Sequence, residues 1–150
     1  FAVCAGLQVL GHTFRAHGNE VEGVGLLDVT TAPLERRATG ELVSEPTRAG
    51  VTAELSQPLT GFENHMGATA LGPDASALGR VTRGVGNGGD ERVDGVVQGS
   101  VIATYMHGPA LARNPQLADL LIARALDIPL AELQPLELDA VTKLREERLR

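Results

Sequence analysis

The chain has no tryptophan, a single tyrosine, three phenylalanines and one cysteine in 150 residues. One cysteine excludes an internal disulfide framework and a four-cysteine zinc site. With aromatics at 3%, Leu, Val, Ile and Ala must fill the core. No run approaches the ~18 consecutive apolar residues of a membrane-spanning helix. Basic residues are scarce relative to acidic ones, thirteen against nineteen, and the net charge of −6 argues against a broad nucleic-acid face. The chain opens Phe1-Ala2-Val3-Cys4 with no initiator Met, no basic leader and no signal-peptide apolar core. That opening reads as the last residues of a strand begun earlier, so the chain is expected to be part of a longer protein. What remains is ordinary for one folded domain: 43% hydrophobic and 21% charged residues. Glycine is abundant, 18 of 150, and many tight turns are expected.

Hydrophobic patterning predicts a short helix over 5–10, ended by Gly11, with Leu7 and Leu10 three apart. Residues 22–29 suit a buried strand carrying Val24, Leu26, Leu27 and Val29, its glycines admitting close backbone. Residues 39–51 read as strand, turn, strand. A loop is expected at Gly61-Phe62-Glu63-Asn64-His65, short strands at 79–85 and 93–97, and a hairpin-like loop over 84–90. Residues 99–105 form a further strand, rich in β-branched side chains. Asn114-Pro115 marks a helix start, with Leu117, Leu120, Leu121 and Ala125 on one face and Pro129 as its stop. The charged residues 143–150 suit a solvated terminal helix; docking to a partner is the other reading. Strands followed by one strong helix imply an α/β domain lacking part of its front half.

Cys4 stands between an apolar strand end and a helix opened by the small residues Ala5 and Gly6. This is the setting of a nucleophile elbow, where a sharp turn tolerates only small neighbours. A helix N-terminus favours thiolate, and the Ala5 N–H would point where an oxyanion forms. A buried, inert cysteine is the alternative. His107 follows a predicted strand and precedes Gly108-Pro109, a place from which an imidazole faces the carboxyl ends of a sheet. It could serve as the base for Cys4 or be a structural histidine.

Val3-Cys4-Ala5-Gly6-Leu7-Gln8-Val9-Leu10-Gly11 resembles the nucleophile elbow of the class I, triad-type glutamine amidotransferases. Thr104-Tyr105-Met106-His107-Gly108-Pro109 resembles the histidine segment of their CobB/CobQ-like branch, which includes cobyric acid synthase. Gly61-Phe62-Glu63-Asn64-His65-Met66-Gly67 lies between them in the expected order. Asn64, with segments 23–29 and 37–41, tilts the resemblance toward GatD-type glutaminase subunits of lipid II isoglutaminyl synthase. The resemblance spans about residues 1–127 and implies a flavodoxin-like α/β amidotransferase domain. Residues 1–150 would be its C-terminal portion and 128–150 a helical tail. It further implies a cytoplasmic glutaminase that forms a γ-glutamyl thioester on Cys4, with His107 as base and then acid.

The same resemblance gives Gln8 a substrate contact, and makes Arg37, rather than its neighbour Arg36, the guanidinium that holds the α-carboxylate of L-glutamine. Asn64 and His65 shape the pocket or merely order a loop. No cofactor is expected in this chain. ATP and metal would belong to a MurT-like Mur ligase partner that uses the ammonia to amidate the lipid II stem peptide in peptidoglycan synthesis. Two departures matter. Many relatives carry a glutamate two residues after the histidine, where this chain has Pro109, so the orienting carboxylate must come from elsewhere in the chain or from the partner. The glycine-rich loop that supplies a second oxyanion N–H precedes the elbow in this family, and is expected upstream of Phe1. His12, His17, Glu20 and Glu22 do not have metal-site spacing. Gly84-Val85-Gly86-Asn87-Gly88-Gly89 lacks the Gly-Lys-Ser/Thr of a phosphate loop and reads as a turn. Two rivals stand beside the glutaminase subunit: the glutaminase part of a cobyric acid synthase, and a non-catalytic ligase-binding module.

Overall fold

The computed structural model describes residues 1–136 and 138–150. The chain is an α/β protein built on two sheets. Strand β1 (Ala2–Val3) leads through Cys4 into helix α1 (Ala5–Leu10), then a hairpin of β2 (Thr13–Ala16) and β3 (Asn19–Glu22). Two long strands follow, β4 (Val29–Pro46) and β5 (Leu59–Leu71), then β6 (Gly79–Arg83), β7 (Val93–Asp94), β8 (Val96–Gln98) and β9 (Val101–Thr104). Helices α2 (Ala110–Arg113), α3 (Pro115–Leu126) and α4 (Asp139–Leu149) complete the order.

The smaller sheet runs β1-β9-β8, with β1 parallel to β9 in the register Ala2↔Ala103, Val3↔Thr104. The larger runs β3-β2-β4-β6-β7, and β5 also pairs with β4. β1, α1 and the parallel β1–β9 pair are what these residues contribute to a parallel α/β scaffold. The larger sheet is mostly antiparallel. One apolar cluster gathers Leu42, Leu55, Leu59, Leu78, Ile102 and Met106 against Leu117 and Leu120 of α3. A second packs Leu7, Leu27, Val29, Val96, Ala103 and Tyr105 beneath α1. As the composition requires, aliphatic residues dominate both.

Helix α1 has the predicted bounds, with Gly11 as its C-cap. α3 begins at Pro115 as predicted, but Ala125 faces solvent. It ends at a left-handed Asp127 before Pro129 is reached. Three expectations fail. Residues 23–28 form no strand: Val24 and Leu26 are 67% and 53% exposed, and the N–H groups of residues 23–27 donate to the carbonyls of Val9, Leu10, Gly11 and His12 instead of to a sheet ladder. Close backbone approach at Gly23 does hold, because a Cβ there would meet the Gly11 carbonyl at 2.2 Å. The second strand expected within 39–51 does not form: β4 ends at Pro46, where the turn was expected, and Gly50–Thr52 make a single 3₁₀ turn. Finally, 61–65 is not a loop but the middle of β5. The polar residues Glu63 and His65 point inward there, and Phe62 and Met66 point out, so hydropathy alone conceals the strand.

The terminal helix is less solvated than its charge suggests. Arg145 of α4 donates to the Pro58 carbonyl at 2.9 Å, to Asn114 Oδ1 at 3.0 Å and to the Arg113 carbonyl. Arg113 in turn pairs with Glu41 at 2.5 Å. Helix α4 is thus docked on its own chain.

Candidate active site

Cys4 has φ 52° and ψ −110°, a conformation L-residues rarely adopt. The strain is held from both sides. Its N–H donates to the Thr104 carbonyl of β9 at 2.9 Å, and its own carbonyl accepts from Leu7 and Gln8 as the first turn of α1. A side chain at such a corner stands clear of both strand and helix. That is the geometric property of a nucleophile elbow.

The thiol opens into a pocket of about 290 Å³. α1 supplies Gln8, β2 supplies Arg15, β4 supplies Thr31 to Pro33 and Arg37, and β5 supplies Asn64 to Gly67. The register between β4 and β5 explains how an arginine reaches it. Pro33 pairs with Gly67 and Ala38 with His65, so β4 spends four residues where β5 spends one. The excess chain bulges, and Arg37 lies at its end with Nη1 donating to Asn64 Oδ1 at 2.9 Å. Arg36 is not part of the wall.

Burial pushes the Cys4 thiol above its ordinary value, while the Ala5 N–H and the Arg37 guanidinium pull it partly back. The expectation that the helix start would favour thiolate is therefore corrected. The N–H at the start of α1 acts in the expected sense, but burial outweighs it, and the net direction favours the thiol.

His107 lies just past β9, the strand paired with β1, so both residues follow the carboxyl ends of neighbouring parallel strands. Its N–H donates to the Phe62 carbonyl at 2.8 Å, an antiparallel bridge that ties it to β5. It is not part of the pocket wall. Its Nδ1 is buried and has no hydrogen-bond partner among the described residues. Pro109 precedes α2, so no local carboxylate orients the ring.

Behind the pocket lies a polar network that the sequence reading missed. Asp94 is fully buried, and accepts from Thr104 Oγ1 at 2.5 Å and Tyr105 N–H at 3.1 Å. Thr104 Oγ1 also accepts from Met106 N–H, so one carboxylate fixes the backbone between β9 and His107. Burial raises Asp94 to about 6, against the lowering effect of those hydrogen bonds. Glu63 is buried too, and its two oxygens accept from Val85 and Gly86 N–H at 2.8 Å each. These N–H groups of the glycine-rich turn are thus taken up by this chain's own Glu63 side chain. His65 stacks on Tyr105 with centroids 3.8 Å apart, and its Nδ1 meets the Gly67 carbonyl. It is itself part of the pocket wall and is held there by the stack and the hydrogen bond. Asp94, an isolated polar residue in a two-residue strand, gave no sequence signal, and neither did Thr69 in β5.

The structure thus presents a strained elbow bearing a cysteine, which opens into an arginine-lined pocket on an α/β frame. Residues 1–115 match the CobB/CobQ-like glutamine amidotransferase domain, and the chain belongs to that family. It is 32% identical over 148 residues to the Staphylococcus aureus (strain N315) lipid II isoglutaminyl synthase (glutamine-hydrolyzing) subunit GatD, covering 98% of this chain and 57% of that protein. The Streptococcus pneumoniae subunit of the same name is 35% identical, covering 83% of this chain and 46% of that protein. A cobyric acid synthase of Sphingopyxis alaskensis is 36% identical, covering 81% of this chain but only 23% of its own length. The chain thus spans about half the length of the GatD relatives. A Thermotoga maritima glutamine amidotransferase structure superposes with a TM-score of 0.47 at 16% identity, covering 97% of this chain and 55% of its own.

Proposed function

We propose that this chain is the nucleophile-bearing part of a glutaminase subunit whose ammonia feeds a MurT-like ligase. The observation that carries the reading is the pocket itself: the Cys4 thiol on its elbow faces the Arg37–Asn64 pair across a space of amino-acid size. Arg37 takes the α-carboxylate of L-glutamine, with Asn64 holding the guanidinium in place. The Cys4 sulfur attacks the side-chain carbonyl carbon as its proton passes to His107, and the Ala5 N–H stabilises the oxyanion. Collapse of the adduct breaks the C–N bond. His107 returns the proton to the departing nitrogen, giving ammonia and a γ-glutamyl thioester. Water, deprotonated by His107, then releases glutamate and restores the thiol.

The similarity to two GatD subunits of lipid II isoglutaminyl synthase supports lipid II as the destination of the ammonia. In this proposal the amide is added to the stem peptide, the ATP and metal sit on the ligase, and the reaction runs in the cytoplasm. Similarity to cobyric acid synthases supports cobyrinate amidation as a second reading. Asn64 favours the first, because its bond to Arg37 gives it a task in the pocket. The test uses the full-length protein with its ligase. Cys4→Ser should abolish glutamine-dependent amidation of lipid II and leave amidation driven by added ammonium intact. Equal loss of both would make Cys4 structural and the chain a ligase-binding module.

A further inference from the structure

The single tyrosine of the chain is fully buried, yet its hydroxyl reaches the back of the pocket. Gln8 Nε2 donates to Tyr105 Oη at 3.1 Å. Tyr105 Oη meets Thr69 Oγ1 at 2.7 Å, and Thr69 Oγ1 meets Thr31 Oγ1 at 2.9 Å. The polarity of this chain is fixed at one end. An amide nitrogen only donates, so Tyr105 must accept from Gln8, and its own proton is free for Thr69. Gln8 and Thr31, the two ends, both line the pocket, whereas Tyr105 and Thr69 do not.

The strand beneath the junction is cut away to allow it. A Cβ on Gly67 would lie 2.3 Å from Gln8 Nε2, 2.6 Å from Tyr105 Oη and 2.9 Å from Thr31 Cγ2. The glycine is therefore needed by three members of the network at once, with no positive φ to explain it. His65, stacked on the ring, fixes the tyrosine from its face.

We propose that Tyr105, backed by Thr69, is a positioning residue for substrate specificity. By binding the nitrogen of the Gln8 amide it turns the Gln8 carbonyl toward the pocket, as the acceptor for an N–H of the amino-acid substrate. Without the phenol hydroxyl the amide is free to rotate, and half of its orientations present the wrong group. This rests on the glutaminase reading above, and the test separates the two. It uses the full-length protein and two thiol reagents: diazo-oxo-norleucine, which is shaped like glutamine, and methyl methanethiosulfonate, which has no amino-acid head group.

Tyr105→Phe keeps the ring and its stack on His65. It should slow labelling of Cys4 by the glutamine-shaped reagent about tenfold, the scale of one well-oriented hydrogen bond, and leave the thiosulfonate rate within about twofold. Thr69→Val should follow Tyr105→Phe, and Thr69→Ser, which retains the hydroxyl, should behave like the unmodified protein. An unchanged glutamine-analogue rate in Tyr105→Phe overturns the proposal. So does an equal fall with both reagents, which would make Tyr105 a packing residue. Failure of the unmodified protein to label with the analogue, while the thiosulfonate still reacts, would instead overturn the glutaminase reading and take the proposal with it.

Discussion

Two adjacent arginines separate binding from bystander chemistry at the scale of single residues. Arg37 ends the β4 bulge against Asn64 and lines the pocket, and Arg36 does not line it. Arg37→Ala should raise the KM for glutamine roughly ten- to hundredfold, because a charge-assisted contact to the carboxylate is lost. Arg36→Ala should change KM less than about twofold. Steady-state glutaminase kinetics on both variants check this, and matching values would remove Arg37 from the site. The choice between the two residues was legible only through family resemblance. Nothing in the sequence shows that β4 spends four residues against one of β5, which is what selects the second arginine. Cys4 was legible for a physical reason: small residues after an apolar strand end are what a positive-φ corner requires. Its raised thiol was not, since desolvation depends on β4 and β5, which are remote in sequence.

Elements joined through a buried carboxylate carry a pH signature. Asp94 ends β7 and fixes the turn after β9 through Thr104 and Tyr105. In the unfolded chain its carboxyl titrates near 3.8, and in the fold burial raises it to about 6. The folded state therefore holds the proton more tightly. The stability this group contributes is complete below about pH 4 and is lost as pH rises through about 6, by an upper bound of roughly 3 kcal/mol. Asp28, held low by the Asp74 N–H, acts in the opposite sense, but only below that window. Thermal melts of the unmodified protein should lose stability between pH 4.5 and pH 7, on the order of several degrees. Asp94→Asn should flatten that slope, and a slope that survives the substitution would assign it to another group. At this scale the strands that could be predicted were those with apolar cores, such as β9. β5 was read as a loop because residues 61–66 reverse the usual polarity, carrying Glu63 and His65 inside. Their partners, the Val85 and Gly86 amides and the Tyr105 ring, are more than twenty residues away.

For the whole molecule, the open end of the proposed Cys4–His107 pair is His107 Nδ1, buried without a hydrogen-bond partner among the described residues. We expect an acidic residue of the ligase to complete it. Glutaminase turnover at saturating glutamine without ATP should then rise on adding the partner, through kcat rather than KM, because orientation acts on the chemical step. An unchanged kcat would place the orienting group within the glutaminase subunit. The pairing of β1 with β9 has a further consequence, in time rather than space. Residues 2 and 3 are made about a hundred residues before their hydrogen-bonded neighbours at 103 and 104. While the ribosome is adding the intervening chain, Cys4 has neither the Thr104 carbonyl that bends its backbone nor the buried wall that holds its proton. The same sulfur is then an ordinary exposed thiol. It becomes an elbow only once β9, the strand before His107, has emerged, so the proposed nucleophile and its proposed base come together at the same stage of synthesis.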